Sequence, residues 1–324
     1  MAQSIAVIMG GPSSEHEISL HSGQMILRVL AERYRNIKPI IVSKEGYWHV
    51  DGKTVSIERA LSDIKVALLA THGQWGEDGH LQAILENFSV PYTGSRVGAS
   101  ALAFDKSISR VIFRASGLNI PEGMVMIKNS LPPEERAKEI IRVMPNGSWL
   151  VKPAQAGSSV GVSFAKYVKQ LVPAMAEAWK FGSVILVEEY IDGIEITCGV
   201  LEDLKTKQIF ALPLTQIIPP PKHDFFDFSA KYSGETMEIT PAPIDNKVAE
   251  LAREAALRAH AAIGARHYSR VDMILKNNVP HILEINTLPG LTDQSLLPKQ
   301  AQARGLGFAE LLEHLIQLAL VDAQ

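Results

Sequence analysis

The chain has 324 residues, of which 46% are hydrophobic and 21% are charged, and its formal net charge is −3. This composition is typical of a globular protein long enough for two or three domains, and the small net charge gives no general electrostatic basis for binding nucleic acid or an anionic membrane. The single cysteine, Cys198, excludes a disulfide framework within the chain and indicates a reducing compartment. We therefore expect a cytoplasmic protein that binds neither nucleic acid nor membrane.

The first hundred residues predict a small α/β domain with a parallel sheet. An apolar run at 4–9 is followed by Gly10-Gly11 and then by apolar residues at helical spacing, which is typical of a strand, a turn and a helix. The run is far shorter than the roughly 20 residues of a membrane span. Apolar segments at 38–43 and 66–73 predict further strands. We place this N-terminal domain at 1–104.

Two further units follow. The central one, 105–192, begins with a helix and contains apolar strands that end in VKPA and VEEYI. The C-terminal one, 193–324, begins with an antiparallel pair of strands and continues into a long irregular stretch at 219–235. A loop of this length is usually a lid or a binding loop. A helix at about 245–263, two strands and a closing helix complete the prediction.

A glycine- and serine-rich segment, KPAQAGSSVGVS, spans 152–163. Backbone N–H groups in such a loop can cradle phosphate, and the lysine that precedes it adds a positive charge. The segment is not a Walker A loop, because no Gly-Lys-Ser/Thr closes it. From the residues alone, a phosphate loop and a structural turn are equally good interpretations.

The strands SRVDMIL (269–275) and HILEIN (281–286) carry polar residues in otherwise apolar sequence. Side chains alternate along a strand, so Arg270 and Asp272 lie on the same face of their strand, and Glu284 and Asn286 lie on the same face of theirs. If three residues connect the two strands, the two pairs lie together on one face of the sheet. If a two-residue turn connects them, the pairs lie on opposite faces. Together, the oxygens of two carboxylates and an amide suit magnesium. The alternative is a solvated polar face. We expect Leu283 and Ile285, which alternate with Glu284 and Asn286, to point into the domain.

Three other segments are weaker indications of function. VEEYIDG, at 187–193, could be a hinge that contacts a nucleotide base, or a solvated acidic linker. Glu15 lies near the start of the first helix, where it could bind a ligand or simply complement the helix dipole. Lys231 and Tyr232 could close over a site as part of a lid, or belong to a surface loop.

Eight blocks of the sequence, in this order, resemble the ATP-grasp superfamily and, within it, the D-alanine–D-alanine ligase family. They are GGPSSEHEISLHSG, HGQWGEDG, DK at 105–106, VKPAQAGSSVGVS, EEYIDGIEIT, FDFSAKY, SRVDMI and EINTLPGLTDQSLLP. The resemblance implies three domains: a Rossmann-like N-terminal domain with a parallel sheet, and two α+β grasp domains with ATP between them.

The resemblance also implies an activity. Two D-alanine molecules and ATP would yield D-alanyl-D-alanine, ADP and phosphate through a D-alanyl phosphate intermediate, for peptidoglycan precursor synthesis and so for cell wall biogenesis and cell shape. One alternative is the same chemistry with D-serine or D-lactate as the second substrate. Another is a non-catalytic nucleotide-binding protein on this fold. We also expect a homodimer.

The resemblance assigns two groups of residues to ATP and metal. Those that would contact ATP are Lys106, Lys152, Ser159, Glu188, Glu189, Tyr190, Ile191, Glu195 and Lys231. Those that would bind two Mg²⁺ ions, for which Mn²⁺ can substitute, are Asp272, Glu284 and Asn286, with Glu284 bridging. One departure from the family pattern is AQAG at 154–157, where family members often carry an acidic residue before the Gly-Ser-Ser.

The substrate and catalytic residues follow from the same resemblance. Glu15 would hold the ammonium of the first D-alanine, and Arg270 with the N–H of Gly290 would stabilise the tetrahedral intermediate. The second D-alanine would contact Ser295, Leu296 and His72. Ser158 and Tyr232 would form hydrogen bonds with Glu15 and so clamp the phosphate loop and the lid together.

Overall fold

The computed structural model describes residues 4–128, 131–145, 147–157, 160–220 and 236–322. Three separate β-sheets organise this part of the chain, with five, four and six strands. Each sheet draws its strands from one of the three predicted units, in chain order.

The first sheet has the strand order β4-β3-β2-β1-β5. Its strands are β1 (Ile5–Gly10), β2 (Ile37–Val42), β3 (Trp48–Val50), β4 (Lys53–Val55) and β5 (Val66–Leu69). The predicted parallel arrangement is confirmed at its centre, where β1 pairs in parallel with β2 and β5. The antiparallel hairpin of β3 and β4 was not predicted. Asp51 and Gly52 connect it with φ values of 51° and 74°, as a tight two-residue hairpin turn requires.

Helix α1 packs on this sheet. The helices of the N-terminal region are α1 (His16–Ala31), α2 (Ile57–Leu61) and α3 (His80–Asn87). A glycine inside a helix costs about 1 kcal/mol relative to alanine, and Gly23 has a packing reason to be there. A Cβ at Gly23 would lie 2.6 Å from the Met9 side chain, so glycine permits the close approach of α1 to β1.

The second sheet is antiparallel, in the order β6-β9-β7-β8. Its strands are β6 (Gly123–Ile127), β7 (Trp149–Pro153), β8 (Ser163–Ala165) and β9 (Val184–Glu189). The helices that precede or accompany it are α4 (Val97–Phe104), α5 (Lys106–Ala115), α6 (Pro133–Val143) and α7 (Leu171–Ala178), with a 3₁₀ turn at Val168–Gln170.

The third sheet follows the order β13-β12-β10-β14-β15, with β11 also paired to β10. Its strands are β10 (Ile194–Glu202), β11 (Ile209–Ala211), β12 (Thr215–Ile218), β13 (Met237–Ile239), β14 (Tyr268–Lys276) and β15 (Val279–Asn286). The predicted antiparallel pair is confirmed, but its second member is split into β11 and β12 around Pro213, which cannot donate a ladder hydrogen bond. The remaining helices are α8 (Asn246–Ile263), α9 (Leu296–Ala303) and α10 (Phe308–Val321).

The hydrophobic cores do not follow the sheets. Leu311, Leu315 and Ile316 of α10 are buried in one core with β1, β2 and β5, and α4 and α5 pack in the core of the third sheet with α8. The predicted domain boundaries at 104/105 and 192/193 therefore divide the strands among the three sheets, but helices on one side of a boundary pack against a sheet on the other. The boundaries stay a prediction. Within the described ranges, no helix combines the length and apolar character needed to cross a membrane.

Two histidines are buried in this framework, and burial lowers the pKa of both to about 4. His260 on α8 has its Nδ1 2.7 Å from the Ser269 hydroxyl. His267 accepts a hydrogen bond from the N–H of Gly94 and contacts Asp322 through Nε2 at 2.9 Å. The charge of Arg266 adds to burial in lowering the pKa of His267, and Asp322 opposes it.

These pKa values predict a loss of stability in mild acid. Each folded pKa lies below the ordinary value of 6.5, so the unfolded chain binds more protons between pH 6.5 and 4. The free energy of unfolding should therefore fall as the pH is lowered through that window, by at most on the order of 3 kcal/mol for each histidine. Urea unfolding at several pH values measures this. His260→Asn should remove about half of the dependence, and His21→Asn, at an exposed position, should remove none. Identical pH profiles for the unaltered protein and His260→Asn would contradict the assignment.

Candidate active site

The hairpin of β14 and β15 brings the predicted polar residues together. Asp272 lies opposite Glu284, and Arg270 lies opposite Asn286. The predicted condition for this register, a three-residue connection, is wrong: Asn277 and Asn278 form a two-residue turn, both with positive φ.

A β-bulge restores the register. The pairing shifts between Asp272 and Met273, so Leu283 is an extra residue on β15. The extra residue also changes which side chains reach the core. Ile282 and Ile285 are buried there, whereas Leu283 is half-buried and lines the cavity beside Glu284. The expectation that both Leu283 and Ile285 point into the domain is therefore confirmed for Ile285 and wrong for Leu283.

Asp272 accepts hydrogen bonds from three neighbouring side chains. Its two oxygens accept hydrogen bonds from Nε and Nη2 of Arg270 at 2.8 and 2.7 Å. The Thr197 hydroxyl donates to it at 2.6 Å, and the side-chain amide of Asn286 at 3.1 Å. Burial would lower the pKa of Arg270, but the charge of Asp272 and its hydrogen bonds with Arg270 raise it. The guanidinium is thus held as a fixed cation in the site.

Lys106 links the acidic pair to the predicted phosphate loop. Its Nζ lies 2.9 Å from Oε2 of Glu284 and donates to the carbonyl of Ala156 at 2.8 Å. Its backbone N–H donates to the carbonyl of Ala154. In the AQAG segment, 154–157, which departs from the family pattern, Nε2 of Gln155 donates to the carboxylate of Asp105 at 2.7 Å. Asp105 is the N-cap residue of α5, so this bond ties the loop to that helix.

A second ion pair lies behind the loop. Nζ of Lys152 is 2.5 Å from Oε2 of Glu188, and Nε of Arg110 is 3.7 Å from Oε1. All three side chains are buried. Burial lowers the pKa of Arg110, and the attraction of Glu188 opposes this. The predicted nucleotide residues Lys152 and Glu188 thus contact each other directly.

A cavity of about 350 Å³ lies between the second and third sheets. Among the predicted site residues, those that line it are Lys106, Lys152, Tyr190, Ile191, Glu195, Arg270, Asp272, Glu284 and Leu296. Glu188 lies behind Lys152. Glu189 is on the opposite face of β9, where it accepts a hydrogen bond from the N–H of Glu122. The combination of apolar walls, cations and carboxylates suits a nucleotide with its phosphates.

Glu15 connects the N-terminal region with the phosphate loop. It is the residue before α1, only 9% of it is exposed, and its side chain does not cap the helix. A Cβ at Gly157 would lie 2.9 Å from Oε2 of Glu15, and one at Gly73 would lie 2.6 Å from it. Glycines at these two positions therefore let the carboxylate lie directly against both loops.

His72 is buried close by. Its Nε2 is 3.1 Å from the Ser22 hydroxyl, and its Nδ1 is 3.8 Å from Oε1 of Glu77. Glu77 also accepts a hydrogen bond from the N–H of Gly73 at 2.8 Å.

The loop after β15 ends at the N-terminus of α9. Ser295 is the N-cap residue of α9, and Leu296 is its first residue. The Ser295 hydroxyl lies 2.8 Å from that of Thr292. A Cβ at Gly290 would lie 2.7 Å from Oγ of Ser295, so a side chain at this position would collide with the N-cap. The turn thus holds Gly290, Ser295 and Leu296 in one small region.

Four predicted residues lie outside the described part of the chain: Ser158, Ser159, Lys231 and Tyr232. Within the described part, no group of three or more His, Cys, Asp and Glu side chains is arranged to hold a metal ion. The predicted metal set differs from such a group because it has two carboxylates and an amide.

A family model described as the C-terminus of D-ala D-ala ligases matches residues 112–317, and a model of their N-terminus matches residues 4–61 and 51–95. The chain belongs to the D-alanine–D-alanine ligase family. The predicted resemblance and the predicted ATP-grasp fold are confirmed.

Individual members of the family are similar over nearly their whole length. The D-alanine–D-alanine ligase of Syntrophobacter fumaroxidans is 37% identical over 320 residues, which cover 98% of both chains. The structure of the Bacillus anthracis D-alanine–D-alanine ligase complexed with ATP has a TM-score of 0.81 at 30% identity and covers 99% of both chains. That of the D-Ala:D-Ser ligase from Enterococcus faecalis has a TM-score of 0.85 at 28% identity, with 98% of this chain and 100% of the other covered.

The sequence prediction missed three residues of this family member's site. Glu77 lines a small cavity with Lys106, Glu284 and Asn286, and its charge helps to raise the pKa of Arg270. The only signal for it was its place in the GEDG block. Thr197 was missed because its partner, Asp272, becomes a neighbour only through strand pairing. Leu283 was missed because a bulge leaves no periodic signal.

Proposed function

We propose that this protein joins two D-alanine molecules into D-alanyl-D-alanine with ATP as the energy source. The observation that carries the proposal is the register of β14 and β15. It sets Asp272 and Glu284 opposite each other in one cavity with Arg270 and Lys106. Membership of the D-alanine–D-alanine ligase family supports the same reaction.

The reaction has two steps. A carboxylate oxygen of the first D-alanine attacks the γ-phosphorus of ATP, the bond to the β-phosphate oxygen breaks, and ADP leaves with D-alanyl phosphate behind. The amine of the second D-alanine then attacks the acyl carbon and loses a proton, the bond from carbon to the phosphate oxygen breaks, and phosphate leaves. Both steps build up charge that fixed donors and cations can stabilise.

ATP would lie in the cavity between the second and third sheets. Lys106 and Lys152 hold its phosphates, together with Ser159 and Lys231. Tyr190 and Ile191 line the adenine pocket, Glu188 supports it through its ion pair with Lys152, and Glu195 contacts the ribose. The side chain of Glu189 faces Glu122, so its predicted place in this lining is wrong. The apolar walls, the half-buried Lys106 and the buried Lys152 support this arrangement.

The residues near the acidic pair fit a divalent cation. Asp272, Glu284 and the amide oxygen of Asn286 are hard oxygen donors, which suit Mg²⁺ or Mn²⁺. The first two line one cavity, and Asn286 lies in the adjoining small cavity with Glu284. We propose that these three residues would hold two such ions. Bound there, such ions neutralise phosphate charge during phosphoryl transfer.

The two amino acids would bind on the far side of the phosphates. Glu15 holds the ammonium of the first D-alanine and, with Ser158 and Tyr232, clamps the phosphate loop. Arg270 and the N–H of Gly290 stabilise the tetrahedral intermediate. The second D-alanine rests its carboxylate on Ser295 and the N–H of Leu296, near His72. Two close approaches support the assignments: Glu15 lies against Gly157 of the phosphate loop, and Ser295 lies against Gly290.

The wider role follows from the product. D-alanyl-D-alanine serves peptidoglycan precursor synthesis, so we propose a cytoplasmic enzyme of cell wall biogenesis that acts as a homodimer. We also propose the domain boundaries 1–104, 105–192 and 193–324, with no nucleic acid or membrane as a partner.

ADP release tests the proposal. The purified protein should release ADP with D-alanine and Mg²⁺, and not with L-alanine or without the ion. Adding D-serine or D-lactate to D-alanine, with analysis of the products, identifies the second substrate. D-alanyl-D-alanine should be the main product. ADP release that does not depend on D-alanine, or a product other than a D-alanyl dipeptide, would contradict the proposal.

A further inference from the structure

Gln300 is a fully buried polar residue on α9 with no exposed surface. It lies four residues after Leu296, on the helix whose N-terminus carries Ser295 and Leu296. A buried amide needs partners for both its oxygen and its nitrogen, because an unsatisfied polar group in the interior costs free energy. Gln300 has both, and they lie on one strand.

The Gln300 side chain binds β10 at two points. Its Oε1 accepts from the N–H of Gly199 at 2.8 Å, and its Nε2 donates to the carbonyl of Thr197 at 2.9 Å. These two bonds lie at the gap between β11 and β12. On one side of the gap β11 pairs with β10 at Val200, and on the other side β12 pairs with β10 at Thr197. The glutamine amide thus binds β10 in the way that the backbone of a neighbouring strand would.

Gly199 makes this contact possible. A Cβ there would lie 2.8 Å from Oε1 of Gln300 and 2.6 Å from a methyl group of Leu297. Any larger residue at 199 would push α9 away from the sheet. Glycine at 199 and glutamine at 300 therefore form a matched pair that sets the distance between helix and strand.

The two points of attachment lie directly behind the proposed reaction centre. On β14, Gly199 is paired with Arg270 and Thr197 with Asp272. Thr197 also donates its hydroxyl to Asp272 at 2.6 Å. Gln300 thus holds α9 against the part of β10 whose partner residues carry the guanidinium and the carboxylate of the site.

We infer that Gln300 is a positioning residue for the second substrate: by binding Thr197 and Gly199, it fixes the N-terminus of α9 relative to Arg270. The inference rests on the proposed function, in which Ser295 and Leu296 hold the second carboxylate. Gln300 does not touch the substrate. A displacement of about 1 Å in a group that orients a reactant can cost about 10²-fold in rate. Loss of both hydrogen bonds of Gln300 should therefore weaken the use of the acceptor D-alanine and raise its KM.

Gln300→Met tests the inference, since methionine has a similar volume and cannot make the two hydrogen bonds. We expect the KM for the acceptor D-alanine to rise about tenfold, and the KM values for ATP and the donor D-alanine to stay within about twofold. Exchange of the Gly199 N–H with solvent should become faster. Gln302→Met, at an exposed position of the same helix, is the matched control and should change none of these quantities.

The outcomes separate this inference from the proposed function. A Gln300→Met protein that is less stable but has an unchanged acceptor KM would overturn the positioning role and leave the ligase assignment intact. Failure of the unaltered protein to release ADP with D-alanine would overturn both. If Gln300→Met does not fold, Gln300→Asn keeps the amide but shortens its reach, and it should raise the acceptor KM in the same way. An unchanged acceptor KM in that variant would overturn the inference.

Discussion

Glu284→Gln is expected to lower the rate of D-alanine-dependent ADP formation by about 10³-fold, the size of effect seen when charge stabilisation of phosphoryl transfer is removed. Glutamine keeps the shape of glutamate but loses the negative charge that contacts Lys106 at 2.9 Å and that would help to hold the metal ions. Initial-rate measurements of ADP formation at saturating Mg²⁺ provide the test.

The fold should survive this change. The Glu284 side chain is 31% exposed, and the loss of a partly exposed ion pair costs about 1 kcal/mol or less. Glu313→Gln is a matched control, because Glu313 is 34% exposed and pairs with Arg33 at 2.6 Å, away from the cavity. Glu313→Gln should retain full activity. A Glu284→Gln protein with normal turnover would refute the assignment of Glu284 to the metal site.

Arg270→Lys is expected to lower dipeptide formation by about 10²- to 10³-fold, the effect of removing one donor from an oxyanion site. Nε and Nη2 of Arg270 are both bonded to Asp272, which fixes the plane of the guanidinium and the direction of Nη1. Lysine keeps the charge but not the planar fork, so it cannot hold Asp272 and stabilise the intermediate with the same geometry. The KM for ATP should change little.

Product analysis distinguishes the affected step. If Arg270 acts mainly on the tetrahedral intermediate, ADP formation should exceed dipeptide formation in Arg270→Lys, because D-alanyl phosphate formed in the first step is lost to water. Arg33→Lys, which conserves a surface ion pair with Glu310 and Glu313, is the control and should have normal activity. Equal ADP and dipeptide at the normal rate in Arg270→Lys would contradict the proposed role.

The sequence was sufficient to predict the strands of the site but not how they are paired. Alternation correctly placed Arg270 with Asp272 and Glu284 with Asn286 on shared faces. Whether these faces coincide depended on one inserted residue, and counting turn residues could not reveal a bulge inside the strand. Likewise, residues 188–191 were predicted to line one pocket together, yet alternation along β9 directs Glu188 toward Lys152 and Glu189 toward Glu122.

Long-range packing was even less predictable. The pattern of α10 indicates an amphipathic helix, which fixes the buried face but not the surface that covers it. The same limit applies to Gln300. From sequence, a glutamine in a helix is expected to face solvent, whereas here its amide is buried because it binds β10 at the gap between β11 and β12. Such partners are set by tertiary structure, which no local pattern records.

The packing of α10 against β5 has a consequence for biosynthesis. The strands of the first sheet leave the ribosome early, but part of the core that covers them is contributed by residues 308–321. Until that helix is made, apolar surface of β5 stays open to solvent or to other chains, and the contacts that cover it span most of the sequence. This sheet is translated before the other two, yet its core is completed only after residues 308–321 have been made. Chaperone binding during synthesis should therefore concentrate on this sheet.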